Sequence, residues 1–543
     1  MAAASQIERE NRLGLAHIYT ATAALALGAV FGLLQGWSRA HWFAAPHAFD
    51  YYRMLTMHGV LMALVFTTFF IAGLATIAVY RTMPRQRSLF LGWTGFWVML
   101  AGTVAVAAMI LSGNATVLYT FYAPLKAHPL FYIGATVLVI GTWIVLADIV
   151  ENAVWFKRNN PTQKLPLPAH AAVCTFVMWF IATMGVAAEM LVYLIPWSLG
   201  WRPTVDVMMT RMLFWYFGHP LVYFWIMGAY LIWYNLVPTR YGGTVFSDAI
   251  TRVVFIMLIL LSTPVGLHHE FVEPAISAGW KWVHTMTTYG VVVPSVITAF
   301  AIFASFEIAA RRRGQSGFIG VIRSLPWSDP VFAGPAFGML LFILGGFGGL
   351  VNASYAMDAM VHNTMWIVGH FHVTVGGPVA LTFVGAAYYF VPKLTGRKLW
   401  APKLALAQEW AWFVGMLVMS ISMHIGGLLG SPRRTDDVSY LGATAANAWA
   451  PEMTWAAVGG TILFLSIILF TIVAVGTRFA NEKGDTDIKF ADVDPQAVAT
   501  PVILDRVGMW GAIAFALALI AYIGPVMELI GLHGYGARGM RTW

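Results

Sequence analysis

His362-Asn363-Thr364-Met365-Trp366-Ile367-Val368-Gly369-His370-Phe371-His372 is the stretch from which this chain is best read. It opens an apolar run long enough to cross a bilayer, and it sets His370 and His372 two residues apart inside that run. An α-helix advances about 100° per residue, so positions i and i+2 point to nearly opposite faces and cannot close on one ion. Each imidazole needs a partner of its own. Large planar groups such as hemes, one on either side of the same helix, meet that requirement, since heme iron takes axial histidine nitrogen.

The rest of the composition agrees with a membrane setting. Of 543 residues, 59% are apolar and only 10% charged, and the mean hydropathy is +0.72, which excludes a soluble globule. Apolar runs of sufficient length begin near residues 14, 53, 91, 129, 171, 211, 250, 281, 331, 365, 409, 455 and 508, about 13 transmembrane helices in all. The expected fold is an all-α integral membrane protein, with residues 1–543 forming one polytopic domain. No short-period repeat or low-complexity tract interrupts it, and the longest polar connection runs from about Thr477 to Arg506. The first run, about 23 residues long and without a small-residue cleavage site, reads as a span and not as a secretory signal.

Positive loops stay cytoplasmic. Most of the 32 Lys and Arg fall on one side of the spans, among them Arg81, Arg85, Arg87, Lys157, Arg158, Lys164, Arg311, Arg312, Arg313, Arg323, Lys393, Arg397, Lys398 and Lys403, with the N-terminal tail. The expected setting is therefore the inner (plasma) membrane of a cell, with a cytoplasmic N-terminus and a periplasmic or extracellular C-terminus. The net charge of +8 reflects this bias, and its dispersal over short loops argues against a nucleic-acid partner. Cys174 is the single cysteine, so no intrachain disulfide, cysteine-rich metal cluster or covalent c-type heme is expected.

Depth is the informative property of the fifteen histidines. His58 stands early in the second span, His219 in the sixth, His268 and His269 at the end of the seventh, and His370 and His372 early in the tenth. Alternating span directions put all six in the outer third of the bilayer. A polar group in hydrocarbon without a partner costs on the order of a few kcal/mol, and metal ligation relieves that for the whole set where separate helix-to-helix hydrogen bonds would not. His17, His41, His47, His128, His170 and His533 lie near span ends or in loops, where solvated or interfacial roles are expected. His284 and His424 are assigned no metal.

The sixth span reads Trp215-Tyr216-Phe217-Gly218-His219-Pro220-Leu221-Val222-Tyr223, with Tyr223 one turn from His219 on the same face. The seventh ends Ser262-Thr263-Pro264-Val265-Gly266-Leu267-His268-His269, where Pro264 and Gly266 loosen the helix so that adjacent imidazoles converge. Three nitrogens suit copper. This constellation, G-H-P-x-V-Y, then H-H, then H-N-T-x-W-x-x-G-H-F-H, resembles subunit I of the heme-copper oxygen reductases over nearly the whole chain.

The resemblance implies two hemes and one copper ion. His58 and His372 would be the axial ligands of a low-spin heme of b type that relays electrons. His370 would hold a high-spin heme of a or b type on one side only, opposite a copper bound by His219, His268 and His269. In the family the histidine matching His219 is covalently joined to the tyrosine matching Tyr223. Splitting O2 in one event takes four electrons, of which iron gives two and copper one; Tyr223 would give the fourth, with its proton. Leu221 stands where many A-family members have Glu, and the eighth span is expected to contain no Lys, so the chain looks like the B family. The proton path of that family matches Tyr230 and Tyr234, Ser247 in the following loop, and Ser295 and Thr298 on the eighth span. Tyr223, Tyr230 and Tyr234 fall within about 20° of one line down the helix. An aromatic belt and ordinary helix packing are the competing readings of these residues.

Asp358, His362, Arg433 and Arg434 occupy outer loops at positions that hold heme propionates in the family, and anionic propionates need such partners. Glu189, an intramembrane carboxylate, is a functional candidate without an assigned role. The resemblance further implies a subunit II with a dinuclear copper center, cytochrome c as donor with quinol less favoured, O2 and protons as substrates, and lipid as surround. The expected function is a terminal respiratory oxidase that reduces O2 to water and pumps protons. Nitric oxide reductase shares the six-histidine framework; Tyr223 argues against it and Glu270, next to His269, for it. A polytopic transporter would show inverted repeats and broken helices, and neither is visible in the sequence.

Overall fold

The computed structural model describes residues 2–46, 49–532 and 536–542, so His47 and His533 lie outside the described residues. Among the described residues, thirteen helices are long and apolar enough to cross a membrane. They are α1 Gln6–Arg39, α2 Tyr51–Thr82, α3 Phe90–Leu111, α4 Pro129–Asn159, α5 Leu167–Ser198, α6 Val207–Arg240, α7 Asp248–Glu270, α8 Ala278–Arg312, α9 Pro330–Ala353, α10 Met365–Thr395, α11 Pro402–Leu428, α12 Ala450–Phe479 and α13 Val507–Gly531. Helices dominate because hydrocarbon offers no partner to a backbone N–H or C=O, and a helix satisfies each within its own segment. Two short strands among the described residues, Leu125–Lys126 and Met540–Arg541, pair in parallel.

Number and order match the apolar runs, but several boundaries differ. α1 has 34 residues instead of about 23, because helix geometry continues through polar residues once their charges are met. Glu10 accepts from Arg81 at 2.9 Å and lies 3.3 Å from Arg87. α8 also begins early and takes Lys281 into its first turn, where the ammonium donates to the Glu273 carbonyl at 3.2 Å. The expectation of a lysine-free eighth span is thereby corrected. That span is also interrupted, Ala278–Gly290 and Val292–Arg312 being separate helical segments. Pro294 supplies a cause: its ring clashes with the carbonyl four residues back, at Gly290, and it has no N–H to donate there.

Burial separates centre from rim. In α2 and α6, 89% of the most apolar window is buried, against 33% in α4 and α13. The two enclosed helices carry His58 and His219. Among the described residues, three wider π-helical segments occur, Val60–Phe66 in α2, Glu189–Leu194 in α5 and His372–Gly376 in α10. Two of them begin at or two residues beyond a histidine of the set, in keeping with the concentration of such bulges at functional sites.

Two of the histidines expected in solvated or interfacial places are not solvated. His17 and His170 are buried, because neighbouring helices cover the span ends. His17 Nδ1 lies 3.0 Å from the Leu13 carbonyl and its ring packs against Phe96; His170 lies 3.4 Å from Cys174 Sγ. His128, by contrast, caps α4, accepting from the Leu130 N–H at 3.2 Å.

Candidate functional site

α1 and α2 approach closely at His58, and α10 brings His372 opposite. The two rings lie 6.3 Å apart between centroids and within 12° of parallel. His58 Nδ1 is 2.9 Å from the Gly28 carbonyl and His372 Nδ1 is 2.8 Å from the Val368 carbonyl. A carbonyl oxygen only accepts, so each Nδ1 carries the hydrogen and each Nε2 keeps a lone pair. Two metal–nitrogen bonds of about 2 Å, plus the distance from nitrogen to ring centre on each side, add up to roughly 6 Å. The pair fits the two axial positions of one planar group. The close approach needs glycine: a Cβ on Gly32 would stand 2.6 Å from His58 Nδ1.

His370 points from the other face of α10. Its Nδ1 is 3.2 Å from Thr374 Oγ1, and a Cβ on Gly348 of α9 would stand 2.6 Å from that same nitrogen. Nearby, ligand atoms of His219, His268 and His269 lie within 4.8 Å of one another. α7 stops being α-helical after Ser262 and ends in a 3-10 turn, Leu267–Glu270. This is the loosening expected at Pro264 and Gly266, and it lets the rings of His268 and His269 come to 4.1 Å. His269 stacks on Trp215 at 3.9 Å. His219 Nδ1 and His269 Nε2 are 3.1 Å apart, close to the roughly 3.3 Å between two nitrogens bound tetrahedrally at about 2 Å.

Thr288 of α8, which sequence reading did not single out, completes this group. Its Oγ1 donates to the His284 carbonyl and lies 3.1 Å from His268 Nδ1. Since a hydroxyl has one hydrogen, it must accept from Nδ1–H, leaving His268 Nε2 free for a metal. The Tyr223 ring is 4.7 Å from that of His219, and His219 Nε2 is buried without a hydrogen-bond partner among the described residues.

One continuous cavity touches all six histidines, Tyr223, Asp358, His362, Arg433 and Arg434. Asp358 and His362 are joined at 3.0 Å, and Arg433 donates to Asn363 Oδ1 at 2.8 and 3.2 Å. Burial, and then the neighbouring Arg434, push the Arg433 guanidinium down to about 10. Arg434 lies over the Tyr122 ring at 5.4 Å, and its buried Nη2 has no hydrogen-bond partner among the described residues. Half-buried cations so placed on the cavity call for anions, and carboxylates on a cavity-bound group would supply them. The donor set therefore fits two hemes and a copper ion.

The polar track is joined only in part. Tyr230 donates to Ser295 at 3.3 Å and Tyr234 to Thr298 at 3.1 Å. Ser247 stands apart as the N-cap of α7, accepting from the Ile250 N–H at 3.3 Å. Glu189 and Glu270 are buried, with all four carboxylate oxygens unpartnered among the described residues. His284 is a structural residue, accepting from the Leu267 N–H and donating to the Ala521 carbonyl, and His424 is tethered to the Ser420 carbonyl at 2.6 Å.

Known proteins resemble this chain in sequence and fold. Residues 12–462 match the family described as cytochrome c and quinol oxidase polypeptide I. The chain is 38% identical to cytochrome c oxidase subunit 1 of Thermus thermophilus over 564 aligned positions, covering 99% of each. It is 28% identical to a heme-copper oxidase subunit I+III of Aeropyrum pernix, over 64% of this chain and 43% of that protein. A cryo-EM structure of a heme-copper terminal oxidase dimer superimposes with a TM-score of 0.94 at 34% identity, covering 98% of this chain and 95% of that one.

Proposed function

The chain belongs to the cytochrome c and quinol oxidase polypeptide I family and is the catalytic subunit of a terminal oxidase, and we propose that it reduces O2 to water with electrons from cytochrome c while taking up and translocating protons. The observation that carries this reading is the sorting of six cavity-lining histidines into a parallel pair, a single ring and a convergent triad. When bound, a low-spin heme of b type, a high-spin heme of a or b type and one copper ion supply the electron relay and the oxygen chemistry. His58 and His372 hold the first, His370 the second, and His219, His268 and His269 the copper.

The side chains around them orient these groups and handle protons. Asp358, His362, Arg433 and Arg434 anchor the heme propionates, as supported by their place on the cavity and by Arg434 Nη2, which has no hydrogen-bond partner among the described residues. Tyr223 keeps a phenolic proton beside the triad, and the free His219 Nε2 leaves room for a covalent link between the two rings. Protons reach Tyr223 along Tyr234, Thr298, Tyr230 and Ser295, the B-family route, with Ser247 at its entrance. The base-rich side is the cytoplasmic one, in an inner (plasma) membrane, and the C-terminus lies outside. Electrons arrive from that outer side through a subunit II with a dinuclear copper center. The only cysteine of this chain, Cys174, is buried and supplies no such center.

Oxygen uptake by the assembled complex, with reduced cytochrome c as donor, tests the reading: rapid, cyanide-sensitive uptake is expected. Negligible uptake by a heme-replete sample would refute it and favour nitric oxide reduction, the second reading, which rests on the buried Glu270 beside His269.

A further inference from the structure

One hydroxyl on α10 has no part in the function described above. Thr374, four residues beyond His370, places Oγ1 2.6 Å from the His370 carbonyl oxygen and 3.2 Å from His370 Nδ1. A hydroxyl owns one hydrogen, and a carbonyl can only accept it. The hydrogen is therefore committed to the carbonyl, and toward the ring the oxygen presents a lone pair. His370 Nδ1 then carries the ring hydrogen, and Nε2 is left bare. α9 closes over the hydroxyl without a side chain between them, since a Cβ on Gly345 would stand 2.4 Å from Thr374 Oγ1.

From this geometry we propose that Thr374 is a positioning residue for the high-spin heme: it locks His370 in the Nδ1–H tautomer and, by accepting that hydrogen, increases the electron density that Nε2 offers to the iron. The inference rests on the assignment of His370 to that heme. A ligating histidine whose other nitrogen donates to a good acceptor is a stronger ligand. A hydroxyl that is itself donating is polarised into a better acceptor. The low-spin pair differs, for His58 and His372 are held by the Gly28 and Val368 carbonyls, which no substitution removes. At His370 a part of the ligand strength lies in a side chain, and a threonine is the right kind: in a helix its hydroxyl has a rotamer that reaches the carbonyl four residues back.

The test compares Thr374→Val, which replaces the hydroxyl by a methyl of similar size, with Thr374→Ser, which keeps it, in the assembled oxidase. Two quantities are read: the iron–histidine stretching band in the resonance Raman spectrum of the reduced enzyme, and the midpoint potential of the high-spin heme. In the valine variant the band is expected to move to lower frequency and the potential upward, with both at wild-type values in the serine variant. An unmoved band and potential in the valine variant would overturn the proposal, as would a serine variant displaced as far as valine, which would make packing the cause. Absence of any iron–histidine band in the wild-type enzyme would overturn the His370 assignment itself. If the valine variant retains no high-spin heme, Thr374→Ala takes its place in the same comparison.

Discussion

Replacing Thr288 by valine should loosen copper without disturbing either heme. The hydroxyl accepts from His268 Nδ1–H at 3.1 Å, and both residues are buried, at 8% and 4% exposure, so water does not take its place. A buried donor left without a partner costs about 1–3 kcal/mol. In the metal-free chain the ring escapes this penalty by changing tautomer or turning, whereas a bound metal holds Nε2 and forces the hydrogen onto Nδ1. The loss therefore falls on the metal-bound state. At about 1.4 kcal/mol per factor of ten, copper retention weakens roughly 5- to 150-fold. The assay equilibrates the purified oxidase with graded concentrations of a copper chelator and measures copper against heme by elemental analysis. Thr288→Ser, which keeps the acceptor, serves as control. A valine variant that holds copper across the same chelator range as wild type would refute the argument that this hydroxyl sets the His268 tautomer.

Three other outcomes follow from the same geometry. Tyr223→Phe is expected to keep both hemes and the copper but lose sustained oxygen reduction; full steady-state uptake would remove the tyrosine from the chemistry. His372→Ala takes one ligand from the parallel pair, so pyridine hemochrome analysis should find about one heme per chain instead of two, with copper retained; two hemes would contradict the pairing with His58. Tyr234→Phe breaks the 3.1 Å bond to Thr298, and turnover should fall about 10²-fold if proton delivery becomes limiting. Its heme spectra should stay as in wild type, and unchanged turnover would exclude Tyr234 from the route.

How much of this was legible in the sequence depended on whether a signal was local. The thirteen spans announce themselves because each is a long apolar run, and the six histidines because imidazoles at one depth in such runs demand an explanation. Helix ends were less legible. The polar first turns of α1 depend on Arg81 and Arg87 meeting Glu10 from elsewhere in the chain, and Lys281 enters α8 through a bond to Glu273. His17 and His170 looked interfacial because hydropathy does not show which neighbours cover a span end. Thr288 and Thr374 were invisible for a different reason. Thr22, Thr103 and Thr175 also donate to the carbonyl four residues back; Thr288 is set apart by the tertiary approach of His268, and Thr374 by the orientation that the His370 ring, one turn back, takes in the fold. Ser247, read as part of a proton route, is also a helix cap, a second role that its place before Asp248 allowed equally well.

The enclosed position of α2 and α6 bears on biogenesis. His58 stands on one of the two helices most enclosed by their neighbours, 89% of its most apolar window being buried. A planar group as wide as a heme would be taken up there most readily while the helices are still free to part. Supply of heme then governs how many chains mature, and a shortage would appear first as chains lost to proteolysis, before any defect in the turnover of the finished enzyme.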